Sequence, residues 1–175
     1  MADAPKEKWL GGVAMTTVVL AVCAALSTLK GGSFSTRTQL ETTKENNAWS
    51  YFQSKSIKQH ACEVEADILE VSRADTQRPD ARALIDSKLS KVRADIARYD
   101  REKTEIQTDA KKRAIWQNDY KRHAASMGMA AMLLQIAIML SSISALMKRK
   151  PLWFAGLVCG SVGILYLLNG FLDWF

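Results

Sequence analysis

The chain has 175 residues and a formal net charge of +6, with 48% hydrophobic and 24% charged residues. In the region 30–126 the basic side chains are interleaved with acidic ones at helical spacing and form no basic patch, which argues against nucleic-acid binding. Of its three cysteines, Cys23 and Cys159 lie in apolar runs, so no disulfide framework is expected.

Three uncharged apolar runs occupy residues 9–29, 127–147 and 152–172. About 20 helical residues at ~1.5 Å each match a hydrocarbon core of roughly 30 Å. The sequence therefore predicts an all-α integral membrane protein with three transmembrane helices. A tail at 1–8, a basic turn at 148–151 and a C-terminal end at 173–175 complete the predicted membrane part.

Lys6 and Lys8 precede the first run, as basic residues do in a cleaved signal peptide. The run is longer than the apolar part of such peptides. We therefore expect an uncleaved anchor helix.

The residue pattern of region 30–126 predicts a long antiparallel coiled-coil hairpin between the first and second transmembrane helices. Gly31-Gly32-Ser33 marks a break after the first run, and neither Gly nor Pro occurs from Ser35 to Gln77. Pro79 disfavours helix in the preceding residue and suits the first turn of a helix. We expect arms at about 35–77 and 80–126, joined by a turn at 78–80.

Apolar residues repeat along both arms in alternating steps of four and three residues, which is the heptad pattern of a helical seam. The predicted seam residues are Ile57, Ala61, Val64, Ile68 and Val71 on the first arm, and Ile85, Leu89, Val92, Ile96, Tyr99 and Ile106 on the second. One hairpin supplies only two helices, so surplus apolar residues favour packing against further copies of the chain.

Aromatic residues group toward the membrane end of the hairpin when it is folded at Pro79. A core cluster or a subunit contact is the common meaning of such a group, whereas exposed aromatic residues with a basic rim mark recognition sites. The candidate partner or subunit contacts are Trp49, Tyr51, Phe52, Lys55, Lys58, Trp116 and Tyr120.

Few polar groups interrupt the apolar runs. Gln135 lies near the middle of the second run, and we expect its amide to bond another helix or a copy of itself. Gly156, Gly160 and Gly163 put small residues on one face of the third run, which permits close helix contact. These four residues are the predicted transmembrane packing positions.

Short loops decide membrane orientation. The basic turn and the N-terminal tail share one side of the membrane if there are three spans, so that side is predicted to be cytoplasmic and the hairpin periplasmic. The opposite orientation is favoured by basic residues at the roots of the hairpin, which are Lys30, Arg37, Lys121 and Arg122.

Several stretches carry a resemblance, above all STLKGG at 27–32 and NAWSYFQSKSIK at 47–58. Through them the chain resembles a small bacterial membrane family known as domain of unknown function 4337. The resemblance implies a multi-pass protein of the bacterial inner membrane and a special role for segment 49–58. It carries over no catalytic residue.

No HExxH, paired-cysteine motif, phosphate loop or nucleophile with its base is present, so we expect no enzyme, cofactor or metal site. The sequence favours a homo-oligomeric, membrane-anchored helical scaffold or partner-binding module. Membrane lipids and further copies are the predicted partners, with another envelope protein as an alternative. The alternative function is an oligomeric channel or transport accessory with a pore on the oligomer axis.

Overall fold

Three α-helices make up almost all of residues 8–172, the part of the chain that the computed structural model describes. α1 spans Lys8–Asp75, α2 spans Pro79–Met147 and α3 spans Lys150–Leu172. No strand occurs among these residues, so the prediction of an all-α chain is confirmed. The predicted ends before Lys8 and after Leu172 lie outside the described residues.

Each helix contains a stretch that is long and apolar enough to cross a membrane. In α1 and α2 that stretch occupies one part of a much longer helix, whereas α3 is apolar almost throughout. The helices are therefore compatible with a multi-pass membrane protein.

The connection between α1 and α2 comprises residues 76–78. Pro79 is the first residue of α2, where a missing N–H leaves no hydrogen bond unmade. The Thr76 N–H donates to the Ser72 carbonyl at 3.2 Å, and the Arg82 Nε donates to the Thr76 carbonyl at 2.5 Å. The non-helical residues thus begin two positions before the predicted turn at 78–80.

The connection between α2 and α3 depends on one residue in the left-handed region, Lys148, with φ of 52°. This conformation lets the Arg149 N–H donate to the Ser144 carbonyl at 3.2 Å, a six-residue closure that ends α2. The Ser144 hydroxyl donates in turn to the Arg149 carbonyl at 2.8 Å. The basic segment is therefore a tight turn closed by one backbone hydrogen bond and one side-chain hydrogen bond.

α1 continues without interruption through Gly31-Gly32-Ser33, so the expected break there is wrong. A Cβ at Gly31 would lie 3.1 Å from the Met127 Cβ. The glycine therefore permits close contact between α1 and α2, and tertiary packing outweighs its poor helix propensity.

Contacts divide the chain into two compact units, to which α1 and α2 both contribute. We call them the three-helix unit, comprising the described residues of Met1–Gln39 and Gln117–Phe175, and the two-helix unit, Leu40–Trp116.

The three-helix unit buries small and polar residues beside a few large apolar ones, and it exposes many large apolar residues. Its centre contains the cluster Leu20, Ala24, Leu134 and Ala137, and the fully buried serines Ser27, Ser141 and Ser144. Its surface carries exposed apolar residues that include Val18, Val22, Ile136, Val158 and Leu165. This distribution suits a bundle surrounded by lipid, because lipid tails are as apolar as leucine.

In the two-helix unit, α1 packs against α2 around a small apolar cluster. The cluster contains Ala66, Leu89 and Val92, flanked by Cys62, Leu69 and Ile96. Of the predicted second-arm seam, Leu89 and Val92 are buried, and Ile85, Ile96, Tyr99 and Ile106 are half-buried.

The predicted first-arm seam instead faces away from α2. Ile57, Ile68 and Val71 are 71%, 61% and 72% exposed, and Ala61 and Val64 are also exposed. The α1 positions turned toward α2 are Lys55, Gln59, Cys62, Ala66 and Leu69. This set is displaced by two residues, about 200° around the helix. The expectation that the first-arm seam joins the two arms is therefore wrong.

Candidate functional site

Charged pairs fill part of the α1–α2 interface in the two-helix unit. The Lys55 Nζ lies 2.6 Å from the Glu102 Oε2 and within 5.1 and 5.4 Å of the ring centres of Tyr51 and Tyr99. The ion pair with Glu102 raises the pKa of Lys55, and Lys55 lowers the pKa of Glu102. Lys55, predicted as part of a basic rim, thus binds within the chain.

A second charged group contains Glu41, which is buried, and Arg113 from the other helix. The Glu41 carboxylate lies 2.7 Å from the Lys44 Nζ and 3.3 Å from the Arg113 Nη1. The hydrogen bond from Lys44, together with the charge of Arg113, lowers the pKa of Glu41 despite its desolvation. The sequence contains a signal for the Glu41–Lys44 pair, because i,i+3 residues are neighbours on a helix. It contains none for the pairing with Arg113.

The predicted aromatic residues of α1 contact one another or line a groove. Trp49 and Phe52 meet edge to face with ring centres 5.6 Å apart, and the Trp49 Nε1 donates to the Glu45 carboxylate at 3.4 Å. Tyr51 is 54% exposed and lines an open groove of about 490 Å³ with Lys44, Glu105 and Arg113. Charges of both signs border this groove.

The predicted aromatic residues of α2 are divided between the two units. Trp116 is 52% exposed at the end of the two-helix unit. Tyr120 belongs to the three-helix unit, where its ring stacks on Phe34 at 6.5 Å and lies 5.8 Å from the Arg37 guanidinium. Lys58 is exposed on α1. The seven predicted contact residues therefore belong to separate local groups.

The exposed first-arm seam forms a continuous apolar face, which we call the outer stripe: Ile57, Ala61, Val64, Ile68 and Val71. Its steps of four and three residues place all five side chains along one line of α1. Polar residues border this line on both sides. Within the described chain, therefore, a helix face with the pattern of a coiled-coil partner is left open.

Close helix contacts in the three-helix unit occur at the glycines of α3. A Cβ at Gly160 would lie 2.7 Å from the Leu20 Cδ2, and a Cβ at Gly163 would lie 2.9 Å from the Leu134 Cγ. At Gly156 it would lie 3.1 Å from the Ala137 carbonyl oxygen. The structure thus places all three predicted glycines where side chains would meet a neighbouring helix.

Gln135 has a different environment, because its side chain is exposed on α2. It lines an open groove of about 440 Å³ together with Ser27, Gly31, Gly128 and Ala131. If this surface faces lipid, the amide requires a hydrogen-bond partner there.

A group of polar contacts, which we call the polar clasp, joins the three helices near residue 123. The His123 Nδ1 lies 3.0 Å from the Gly170 carbonyl, which can only accept, so this nitrogen carries the proton. The same imidazole stacks on Phe34 at 4.9 Å. The Ser126 hydroxyl donates to the Tyr166 carbonyl at 3.0 Å and accepts from the Asn169 Nδ2 at 3.2 Å. Sequence reasoning missed this site, because its members lie 40 or more positions apart in the chain.

Among the described residues, no group of three or more His, Cys, Asp or Glu side chains could hold a metal ion. Charged groups such as Lys55 with Glu102 and Arg113 with Glu41 instead join α1 to α2.

The fold and these contacts define a three-helix protein with membrane-compatible helices and a charged two-helix unit. A family model described as Domain of unknown function (DUF4337) matches residues 9–173. The chain therefore belongs to this family, in agreement with the resemblance seen in its sequence. No curated protein and no solved structure matches it.

Proposed function

We propose that the protein is a multi-pass membrane protein that self-associates through the outer stripe and acts as a homo-oligomeric scaffold or partner-binding module. The observation that carries this proposal is the exposure of five apolar side chains at heptad spacing in the charged, two-helix unit. Burying a Val or Ile side chain contributes about 1.5–3 kcal/mol, so the open stripe favours a covering helix.

A second copy of the chain is the proposed covering partner. Copies anchored in one membrane by the same stretch of α1 leave it on the same side, so their α1 helices run in the same direction. In a parallel, in-register pair, each stripe residue meets its own counterpart.

The residues beside the stripe suit this parallel pairing. In a parallel coiled coil, the residue just before a seam position such as Ala61 or Ile68 lies near a residue of the partner helix. That partner residue has a number higher by five. The His60 imidazole would meet the partner's Glu65, and the Asp67 carboxylate would meet the partner's Ser72. Neither contact brings two like charges together.

The exposed Gln135 amide supports the same assembly from within the apolar part of α2. In a bilayer, a copy of Gln135 supplies both the donor and the acceptor that this amide requires. The predicted inner-membrane location belongs to the same proposal. So does the periplasmic placement of residues 30–126, which depends on the basic turn at 148–151 and the N-terminal tail.

The test replaces three stripe residues with aspartate, as Ile57→Asp, Val64→Asp and Ile68→Asp together. We expect the wild-type protein in nanodiscs to contain several copies and the variant to be monomeric with unchanged helicity. Native mass spectrometry measures the copy number, and circular dichroism measures the helicity.

The matched control is the triple variant Ser87→Asp, Ser90→Asp and Ala94→Asp. It adds the same three charges at exposed positions of α2 in the same unit. The control should retain the wild-type mass. A monomeric wild-type protein, or equal loss of assembly in both variants, contradicts the proposal.

A further inference from the structure

An open cavity of about 280 Å³ lies beside the polar clasp in the three-helix unit. Its lining residues are Arg122, His123, Ala125, Ser126, Met129, Tyr166 and Asn169. The cavity is located where the apolar stretch of α2 begins and that of α3 ends. In a membrane, this is the level of the lipid headgroups.

The cavity is polar at one end and apolar at the other. Arg122 and His123 precede the apolar stretch of α2, whereas Met129 lies in that stretch, seven residues after Arg122. Seven residues correspond to about 10 Å of helix. Along the same direction, a phospholipid molecule changes from its charged phosphate to its apolar acyl chains.

The polar wall of the cavity is fixed by tertiary contacts. His123 is held by the Gly170 carbonyl and the Phe34 ring, and Ser126 bonds both the Tyr166 carbonyl and Asn169. Asn169 is itself only 5% exposed. Binding at this wall would therefore require little side-chain ordering, which reduces the entropic cost of association.

Positive charge predominates at this end of the unit. Lys30, Arg37, Lys121 and Arg122 lie there, against Asp119 in the described part of the unit and Asp173, which follows it in the sequence. The Lys30 ammonium lies 6.0 Å from the Phe171 ring centre, and Arg37 lies over Tyr120. These contacts keep the two cations beside aromatic rings of the same unit.

We propose that this cavity binds the phosphate of an anionic phospholipid, with Arg122 as its cationic contact and Ala125 and Met129 beside the acyl chain. Juxtamembrane basic pockets between helices favour such headgroups through charge attraction. The inference depends on the proposed membrane placement of the three-helix unit. The shared chemistry is a phosphate oxyanion, which free inorganic phosphate also presents.

The experiment uses the full-length protein in nanodiscs of equal parts phosphatidylcholine and phosphatidylglycerol, followed by native mass spectrometry of retained lipid. We expect the wild-type protein to retain phosphatidylglycerol preferentially. Arg122→Gln should reduce that retention about fivefold, as expected for one basic group at a membrane surface. Arg149→Gln, with the same charge change in the α2–α3 turn, should retain lipid as the wild type does.

A second variant keeps all charges and fills the cavity. Ala125 is exposed at its wall, so Ala125→Trp should be tolerated by the fold and should also abolish preferential retention. Equal retention in wild type, Arg122→Gln and Ala125→Trp would overturn the proposal. So would equal loss in Arg122→Gln and Arg149→Gln, because that result indicates unspecific attraction.

Two further arms separate the remaining sources of failure. In the first, inorganic phosphate is added to nanodiscs of phosphatidylcholine alone. Phosphate adducts there, together with no preference for phosphatidylglycerol in the mixed nanodiscs, would overturn the lipid assignment. Failure of every variant to enter nanodiscs would contradict the membrane placement itself. Normal insertion without lipid preference would contradict the lipid site alone.

Discussion

The two units use exposed apolar residues in opposite ways. In the three-helix unit, apolar residues such as Val22 and Val158 are exposed over most of the surface, and serines and glycines share the centre with Leu134. In the two-helix unit, charges cover the surface and the exposed apolar residues include one ordered line, the outer stripe.

The comparison shows that the exposure of an apolar side chain has to be interpreted together with the residues that surround it. An apolar surface on all sides of a bundle is satisfied by lipid, which needs no specific partner. A single apolar line between charged faces is satisfied by one helix of matching pattern. The first pattern is compatible with a membrane, and the second is the one on which the proposed self-association rests.

The largest effect on stability is expected at the core of the two-helix unit. Leu89→Ala should reduce the free energy of unfolding by about 2–5 kcal/mol, because Leu89 is 7% exposed in the cluster with Ala66 and Val92. Leu84→Ala is the matched control, since Leu84 is 61% exposed in the same helix. It should cost less than about 0.5 kcal/mol. Chemical denaturation followed by circular dichroism measures both, and equal costs would contradict the assigned packing face.

The next effect concerns packing in the three-helix unit. Gly163→Ala should destabilise the protein by about 1–3 kcal/mol, because the new Cβ would lie 3.2 Å from the Leu134 backbone nitrogen. Gly11→Ala places its Cβ in open space, so it should be neutral or stabilise by up to about 1 kcal/mol through helix propensity. Thermal unfolding in detergent compares the two. A destabilised Gly11→Ala beside an unaffected Gly163→Ala would reverse the assignment.

A smaller effect is expected where an exposed polar group interrupts the apolar surface. Gln135→Leu should weaken self-association by about 0.6–2 kcal/mol, the range for interhelical side-chain hydrogen bonds in membranes. Met139→Leu changes a neighbouring exposed residue without removing a hydrogen bond, so it should leave association unchanged. Energy transfer between labelled copies, diluted with lipid, measures the association. Unchanged association in Gln135→Leu would mean that lipid or water suffices for the amide.

The smallest expected effect is the acid sensitivity of the two-helix unit. Lys44 lowers the pKa of Glu41, and Lys55 lowers the pKa of Glu102, below the ordinary value of 4.5. The unfolded chain then binds more protons, so this stability is present above about pH 4.5 and is lost as the pH falls through the lowered pKa values. Glu41→Gln should therefore reduce the difference in melting temperature between pH 6 and pH 3. A rising melting temperature on acidification would contradict the sign.

Much of the fold could be predicted because it depends on long uniform patterns. The three apolar runs and the long Gly- and Pro-free segment after Ser35 are local features, and they predict the helices directly. The interface face of α2 could also be predicted, since Leu89 and Val92 carry an apolar signal that agrees with their burial.

The interface face of α1 could not be predicted from apolar spacing. There, Lys55 and Gln59 occupy positions turned toward α2, and the ion pair between Lys55 and Glu102 takes the place of an apolar contact. The stronger apolar pattern belongs to the outer stripe on the opposite face. The apolar periodicity therefore identifies the helix faces that favour a partner. The pairing between distant charges decides which face of α1 packs against α2.

The candidate sites were predictable to the same extent. Gly160 and Gly163 carry a local small-residue pattern, and both lie at helix contacts. The polar clasp depends on residues 40 or more positions apart, such as Ser126 with Tyr166 and Asn169. A sequence without tertiary information gives no reason to group them.

The most direct test of the account is cysteine cross-linking of the outer stripe in the membrane. Val64→Cys is introduced into a chain whose three native cysteines are replaced by alanine, and Ala94→Cys on α2 is the matched exposed control. Under mild oxidation, Val64→Cys should form a disulfide-linked dimer, because a parallel pair places Val64 beside its counterpart, and Ala94→Cys should remain monomeric. Absence of the Val64 dimer, or equal dimer formation at both positions, would contradict the claim that a second copy covers the stripe.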